Sequence, residues 1–108
     1  MGMNDKELSH IRMMANGVVA ESNRKNKWAS AVEARRIDKG AKIIVSLRPG
    51  GIKPKDPMIA LSDLADAIRN ELRLERNKLN AAVYGTSESE FDYDNPQFSF
   101  EVWRLDEV

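Results

Sequence analysis

The chain has 108 residues with a formal net charge of zero, and hydrophobic residues make up 42% of it. This length matches one domain with a single core, and the composition excludes an intrinsically disordered chain. No apolar run is long enough to cross a bilayer, and the N-terminus lacks the pattern of a signal peptide. We therefore predict a single domain over residues 1–108, cytoplasmic and without membrane contact, in which residues 1–3 are a cloning remnant or a disordered start.

Two residue types that carry much of enzyme chemistry are scarce in this chain. It has no cysteine, which excludes disulfides, thiolate zinc sites and cysteine nucleophiles. Its one histidine, His10, rules out a multi-histidine metal site within a single chain and is a poor basis for a hydrolase triad. We therefore predict a protein without enzymatic activity, cofactor or metal. In a minor alternative, Asp92, Asp94 and Glu101 hold a divalent ion for a small metal-dependent enzyme.

The first predicted element is a helix that begins at Asn4. Asn4 and Glu7 have the spacing of a capping box, and apolar residues follow with the period of a helix. The next segment, residues 23–40, fits two structures. The spacing of its apolar residues and its Ala, Glu and Arg content favour a helix, which we predict. The alternative is a strand over residues 31–37 that turns through residues 38–40 into the next strand.

The middle of the chain has the clearest local signals. Residues 41–47 are short, β-branched and bounded by glycine, which predicts a strand. The loop that follows ends at Asp56 and Pro57, which are typical of a cap and a first helical residue. We predict one long helix over residues 57–84 that ends at Gly85. Its most buried residues are expected to include Leu61, Ile68, Leu72 and Leu79.

The last segment predicts a β-hairpin. Residues 91–93 and 98–102 alternate apolar and polar side chains, as half-buried strands do, and residues 94–96 between them favour a turn. The predicted order is helix, strand, helix, hairpin. The fold class is therefore α+β, with two helices packed on one face of a small three- to four-stranded, mostly antiparallel sheet. In the alternative to a helix, residues 24–37 supply the fourth strand.

Charge is unevenly distributed along the chain. Residues 24–55 carry ten basic and two acidic side chains, a net charge of +8, whereas residues 86–108 carry seven acidic and one basic, a net charge of −6. A basic segment of this kind binds nucleic-acid phosphates or an acidic protein, unless the acidic region neutralises it within the fold. The candidate binding residues are Arg24, Lys25, Lys27, Trp28, Arg35, Arg36, Arg48, Lys53 and Lys55.

Mostly small residues recur every seven positions along the second predicted helix, away from its main apolar stripe. Small side chains let another helix approach closely, from the same chain, from a second copy in a homodimer or from a partner. The high helix propensity of alanine accounts for the same pattern without any contact. The residues of this helix-packing seam are Ala60, Ala67, Leu74 and Ala81.

These observations favour a small non-enzymatic binding module that acts by contact with a macromolecular partner, which we expect to be a protein. Its polarised charge supports steered association with a charged surface. Small accessory proteins of phages and mobile elements have this character. The alternative function is nucleic-acid binding through residues 24–55.

Overall fold

The computed structural model describes residues 3–78 and 84–105, with the backbone alone over residues 74–78. In these residues it contains two α-helices and five β-strands. In chain order they are α1 (Asp5–Asn26), β1 (Ser30–Ile37), β2 (Gly40–Leu47), α2 (Pro57–Lys78), β3 (Tyr84–Thr86), β4 (Glu90–Asp92) and β5 (Gln97–Arg104). The predicted α+β class is confirmed. The sheet has five strands, one more than the upper limit of the predicted three to four.

The strands form one antiparallel sheet in the order β1, β2, β5, β3, and β4 also pairs with β5. β1 and β2 form a hairpin that turns through Asp38 and Lys39. The end of the sheet where these two residues lie is called the turn end. The opposite end, where the chain leaves β2 into the loop of residues 48–56, is called the loop end.

The two helices run in opposite directions across the sheet. α1 begins at the turn end, where Asp5 pairs with Arg36, and finishes at the loop end, where Asn23 bonds to Ser30. α2 begins at the loop end, because residues 48–56 lead directly into it, and runs back toward the turn end. The end of α1 and the start of α2 therefore both lie at the loop end.

Both helices cover the same face of the sheet and enclose one core with it. Ile43 of β2 is fully buried, and its partners Ala34 and Phe100 on the neighbouring strands face the same side. On the other face, Lys42 and Glu101 are paired across β2 and β5 and remain partly exposed. The prediction for α2 is confirmed for three core residues, Leu61, Ile68 and Leu72, while Leu79 lies outside the described residues.

Capping residues mark the start of both helices, as the sequence predicts. The carboxamide Oδ1 of Asn4 accepts a hydrogen bond from the N–H of Glu7 at 2.8 Å, and the reciprocal bond completes the capping box. At the start of α2, Oδ1 of Asp56 accepts one from the N–H of Ile59 at 3.3 Å. Met3, expected within a disordered start, instead packs into the core and is 3% exposed.

The predicted helix over residues 23–40 is wrong, and the alternative strand is present. α1 ends at Asn26, and β1 pairs with β2 over its whole length. The helix propensity of this segment is overridden because the hairpin pairing buries Ala34 beneath α1. Gly40, the first residue of β2, permits β5 to approach, since a Cβ added there would lie 2.0 Å from the carbonyl oxygen of Val102.

The second helix is shorter than predicted. α2 is described as far as Lys78, and residues 84–86 form β3, so a single helix that runs to residue 84 and ends at Gly85 is wrong. Gly85 lies in a strand, where a Cβ would be 2.8 Å from the indole Nε1 of Trp103. The glycine therefore makes room for the Trp103 ring rather than terminating a helix.

β1 forms one edge of the sheet, and side chains of α1 bond its outward backbone groups at two residues. The carboxamide of Asn23 bonds both the N–H and the carbonyl oxygen of Ser30, each at 3.0 Å. The guanidinium of Arg12 donates to the carbonyl oxygen of Ala34 from Nε at 3.1 Å and from Nη2 at 3.0 Å. Because unpaired edge groups are a template for another strand, these contacts block β1 at two points.

β3 and β4 form the opposite edge, and a bulge separates them. Residues 87–89 stand opposite only two residues, 100 and 101, of β5. Ser87 restores the ladder there, because its N–H donates to the carbonyl oxygen of Glu101 at 2.9 Å and its Oγ accepts from the N–H of Glu101 at 2.8 Å. Short strands and a bulge make this edge a poor template for pairing.

Candidate functional site

The loop end of the sheet gathers most of the candidate binding residues. α1 finishes there, β2 leaves the sheet there, and the loop of residues 48–56 crosses it before α2. Seven of the nine predicted residues lie at this end: Arg24, Lys25, Lys27, Trp28, Arg48, Lys53 and Lys55. The surface formed by the six basic side chains of this set is called the basic end.

Backbone contacts hold the two stretches of the basic end side by side. The N–H of Arg48 donates to the carbonyl oxygen of Ala29 at 2.7 Å. Gly51 packs on the same residue, since a Cβ added to it would lie 2.1 Å from the Cβ of Ala29. Lys27 ends α1 in the left-handed conformation, with φ of 60°, and so directs the chain into β1. The loop therefore lies against the end of α1.

The six cations of the basic end are exposed, and five of them form no ion pair within the described part of the chain. Arg24 pairs with Glu21 at 2.7 Å, and their hydrogen bond lowers the pKa of Glu21 and raises the pKa of Arg24. Arg24 and Lys25 also lie in the last turn of α1, where cations favour the helix dipole. The three basic residues of the loop, Arg48, Lys53 and Lys55, have no such local role.

Two large apolar side chains that sequence reasoning missed lie beside these charges. Ile52 in the loop is 65% exposed, and Ile59 in the first turn of α2 is 58% exposed. A signal for Ile52 was available, because it stands alone among Pro, Gly and Lys with no periodic apolar neighbour. Apolar side chains surrounded by charge are typical of the centre of a protein-binding surface.

The other two candidate residues lie at the turn end, and each has an acidic partner. Arg35 forms an ion pair with Glu33 on the uncovered face, and their hydrogen bond lowers the pKa of Glu33 and raises that of Arg35. Arg36 pairs with Asp5 at the start of α1. The structure therefore does not bring Arg35 and Arg36 together with the basic end.

The acidic C-terminal region reaches the basic segment at one place within the described residues. Nζ of Lys39, in the hairpin turn, lies 3.2 Å from Oε1 of Glu101 and 4.8 Å from the centroid of the Trp103 ring. In the same part of the chain, no ion pair joins residues 86–105 to the basic end. The charge of the basic end therefore remains open to solvent.

The carboxylates of the minor enzyme alternative do not converge. Oδ1 of Asp92 accepts hydrogen bonds from the N–H groups of Asp94 at 3.0 Å and Asn95 at 3.4 Å, as a turn residue does. Glu101 lies four residues along β5 from Gln97, the partner of Asp92, which is about 13 Å in a strand. Among the described side chains, over residues 3–73 and 84–105, no three His, Asp or Glu residues form a group that fits a metal ion.

A groove of about 730 Å³ runs between α1 and α2 on the side away from the sheet. Ala60 and Ala67 of the predicted seam line it, the first buried and the second exposed, while Gly17 of α1 lies across from them. Half of the seam thus borders another helix of the same chain. The side chain of Leu74 and residue Ala81 lie outside the described residues.

The helices of the described region lack the length of apolar sequence that a membrane crossing requires. Comparison of the chain with protein-family models, with curated proteins and with solved structures finds no match.

Proposed function

We propose that the protein is a non-enzymatic binding module whose basic end contacts an acidic surface of a partner protein. The observation that carries the proposal is the convergence of six exposed cations from two separate stretches of chain, beside Ile52 and Ile59. Bringing like charges together disfavours the folded state, whereas an acidic partner gains both affinity and association rate from the same arrangement. The two isoleucines supply the apolar contact area that charge alone does not.

Nucleic-acid binding is the second candidate, and one observation favours it. Trp28 lies among Arg24, Lys25 and Lys27, and an aromatic ring beside cations can stack on a base. Trp28 is only partly exposed, however, and lines the groove between the helices. The most exposed apolar side chains near the basic end are aliphatic and have no ring to stack. We therefore place an acidic protein first.

Charge reversal at matched positions tests the proposal. Lys53→Glu with Lys55→Glu changes the net charge by the same amount as Arg35→Glu with Arg36→Glu, but only the first pair belongs to the basic end. Affinity capture from a lysate of the native host, treated with nuclease, is expected to retain a partner on the wild type and on the Arg35/Arg36 variant. The Lys53/Lys55 variant is expected to lose it. Equal loss from both variants would contradict a localised site.

Two further measurements separate protein from nucleic acid. Ile52→Ser with Ile59→Ser keeps every charge and is expected to weaken capture of the partner, because it removes the apolar contact. Titration with a short DNA duplex and with single-stranded RNA is expected to give dissociation constants no tighter than about 10⁻⁵ M at physiological salt. Tight binding that falls about a thousandfold between roughly 50 and 200 mM salt would promote the nucleic-acid function instead.

A further inference from the structure

We infer that the groove between α1 and α2 is a second binding surface, which accepts an amphipathic helix with basic flanks from a partner protein. Its lining comes from the two helices and from Trp28, and the sheet contributes none of the residues that form it. The groove shares Lys25 and Trp28 with the candidate binding residues but lies apart from the loop that carries Lys53 and Lys55. It goes beyond the proposed function, because its exposed carboxylates favour a basic partner, whereas the basic end favours an acidic one.

The walls of the groove are two rows of side chains at helical spacing. On α1 the row is Gly17 and Glu21, four residues apart, followed by Lys25; on α2 it is Asp63, Ala67 and Glu71. Gly17 begins the α1 row and Ala67 is the middle residue of the α2 row, and neither has side-chain atoms beyond Cβ. A Cβ added at Gly17 would have no atom within 4 Å. The groove is therefore open beside Gly17 and Ala67, where another helix backbone can approach.

The floor between these rows is apolar, so it fits the apolar face of a partner helix. Val18 is half-buried and packs against the core, and Leu64 is buried within it. Met14 and Trp28 extend this surface toward the two ends of the groove. The lining from Met14 to Asn26 spans about 18 Å of α1, the length of roughly twelve helical residues. A helix of about three turns matches that length and lies parallel to both walls.

Carboxylates on the rim of the groove favour a partner helix with basic side chains on its flanks. Asp63 and Glu71 are both partly or fully exposed and form no ion pair or hydrogen bond among the described side chains. Glu21 adds a third carboxylate, although Arg24 already pairs with it, and Lys25 is the one cation in the lining. Asp63 and Glu71 are eight residues apart, which is about 12 Å along α2. Lysines seven or eight positions apart on a partner helix would reach both carboxylates.

A synthetic peptide of stated chemistry tests the surface directly. The probe is an acetylated, amidated helical peptide with an Ala/Leu face and lysines seven apart on its flank, and the comparison peptide carries glutamates at the lysine positions. Amide NMR shifts of the labelled full chain are followed during titration. The lysine peptide is expected to shift amides over residues 14–26 and 60–71, and the glutamate peptide is expected to bind at least about tenfold more weakly.

Matched variants separate a filled groove from a damaged fold. Gly17→Leu places a side chain in the groove and is expected to abolish binding, whereas Ala20→Leu adds the same side chain on exposed α1 outside the lining and is expected to preserve it. Leucine favours a helix more than glycine does, so Gly17→Leu is expected to melt no lower than the wild type. Asp63→Lys with Glu71→Lys is expected to weaken binding about tenfold or more.

Charge alone is controlled by Asp38→Lys with Glu88→Lys, which makes the same change at exposed positions outside the groove and is expected to leave affinity unchanged. No shift at millimolar peptide, or binding that survives Gly17→Leu, would overturn the inference. Equal affinity for both peptides would overturn its electrostatic part. A dimer in sedimentation that Gly17→Leu dissociates would make a second copy the occupant and would overturn the choice of partner.

Discussion

The two edges of the sheet solve the same problem in different ways. β1 is a full-length edge strand, and Asn23 and Arg12 of α1 bond its outward groups at Ser30 and Ala34. The opposite edge is broken into β3 and β4 by a bulge at Ser87 and carries acidic side chains such as Glu90. The regular edge at β1 is protected from pairing by side chains of a neighbouring helix. The edge at β3 and β4 is protected by its own irregular backbone.

The comparison shows where each edge is vulnerable. At β1, protection comes from side chains of α1, so single substitutions on that helix expose a strand that is otherwise able to pair. At β3 and β4, the geometry of the backbone supplies the protection, so loss of one side chain weakens the edge without making it a better template. Substitutions that remove the α1 contacts of β1 should therefore affect stability and association, whereas substitutions at the bulge should affect stability alone.

The largest expected effect is that of Asn23→Ala. The substitution leaves both the N–H and the carbonyl oxygen of buried Ser30 without their partner, which is expected to cost about 2–3 kcal/mol of unfolding free energy. Urea unfolding measures it. Asn26→Ala is the control, because among the described residues the Asn26 amide bonds to Ser22 of its own helix alone. A comparable loss of stability there would show that the bonds of Asn23 to Ser30 have no special effect.

The bulge is expected to be less sensitive. Ser87→Ala removes the acceptor for the N–H of Glu101 and is expected to cost about 1 kcal/mol in the same measurement, with no change in sedimentation. Ser89→Ala is the matched control, since its hydroxyl makes no hydrogen bond among the described residues, and is expected to stay within about 0.5 kcal/mol of wild type. Association induced by Ser87→Ala would mean that the bulge is not self-protecting.

Arg12→Ala is expected to act mainly on association. It uncovers the carbonyl oxygen of Ala34 at a cost of less than about 1 kcal/mol in stability, but it leaves the middle of β1 open to another strand. Sedimentation at increasing concentration is expected to show a growing mass that Arg24→Ala, on the same helix away from this edge, does not show. A strictly monomeric Arg12→Ala would remove the arginine from the account of the guarded edge.

The smallest expected effect is a gain. Oγ of Ser30 is buried and has no hydrogen-bond partner among the described residues, although the backbone of Ser30 is bonded by Asn23. Ser30→Ala keeps the backbone bonds and removes an unsatisfied group, so stability is expected to stay equal or to rise by up to about 1 kcal/mol. Ser46→Ala, on the uncovered face, is the reference. A clear loss at Ser30 alone would reveal a partner for its hydroxyl.

Local signals predicted the parts of the fold that depend on neighbouring residues. The capping box at Asn4, the cap at Asp56, strand β2 and the hairpin around residues 94–96 are all confirmed. β1 was predicted as a helix because its composition favours one, and only pairing with β2 decides otherwise. Gly85 was predicted to end a helix because its real constraint, the ring of Trp103, is distant in sequence.

The division of the candidate site depends on the same choice between helix and strand. The ten basic residues over 24–55 do not share one surface, because a hairpin of two eight-residue strands carries the chain about 26 Å away and back. Arg35 and Arg36 are left at the far end, while Arg48 returns beside the residues that end α1. Once β1 is a strand, this division follows from the sequence. The exposure of Ile52 and the groove beside Gly17 required the packed structure.

The position of β5 has a consequence for synthesis of the protein. β5 follows every other described strand in the sequence, yet it lies between β2 and β3 in the sheet. A growing chain that ends before Gln97 therefore holds both neighbours of a strand that does not yet exist, each with an unguarded edge. α1, β1 and β2 can assemble early because they are contiguous, and the guarded edge forms with them. The centre of the sheet is completed by insertion, which makes it the stage at which a nascent chain is most exposed to mispairing.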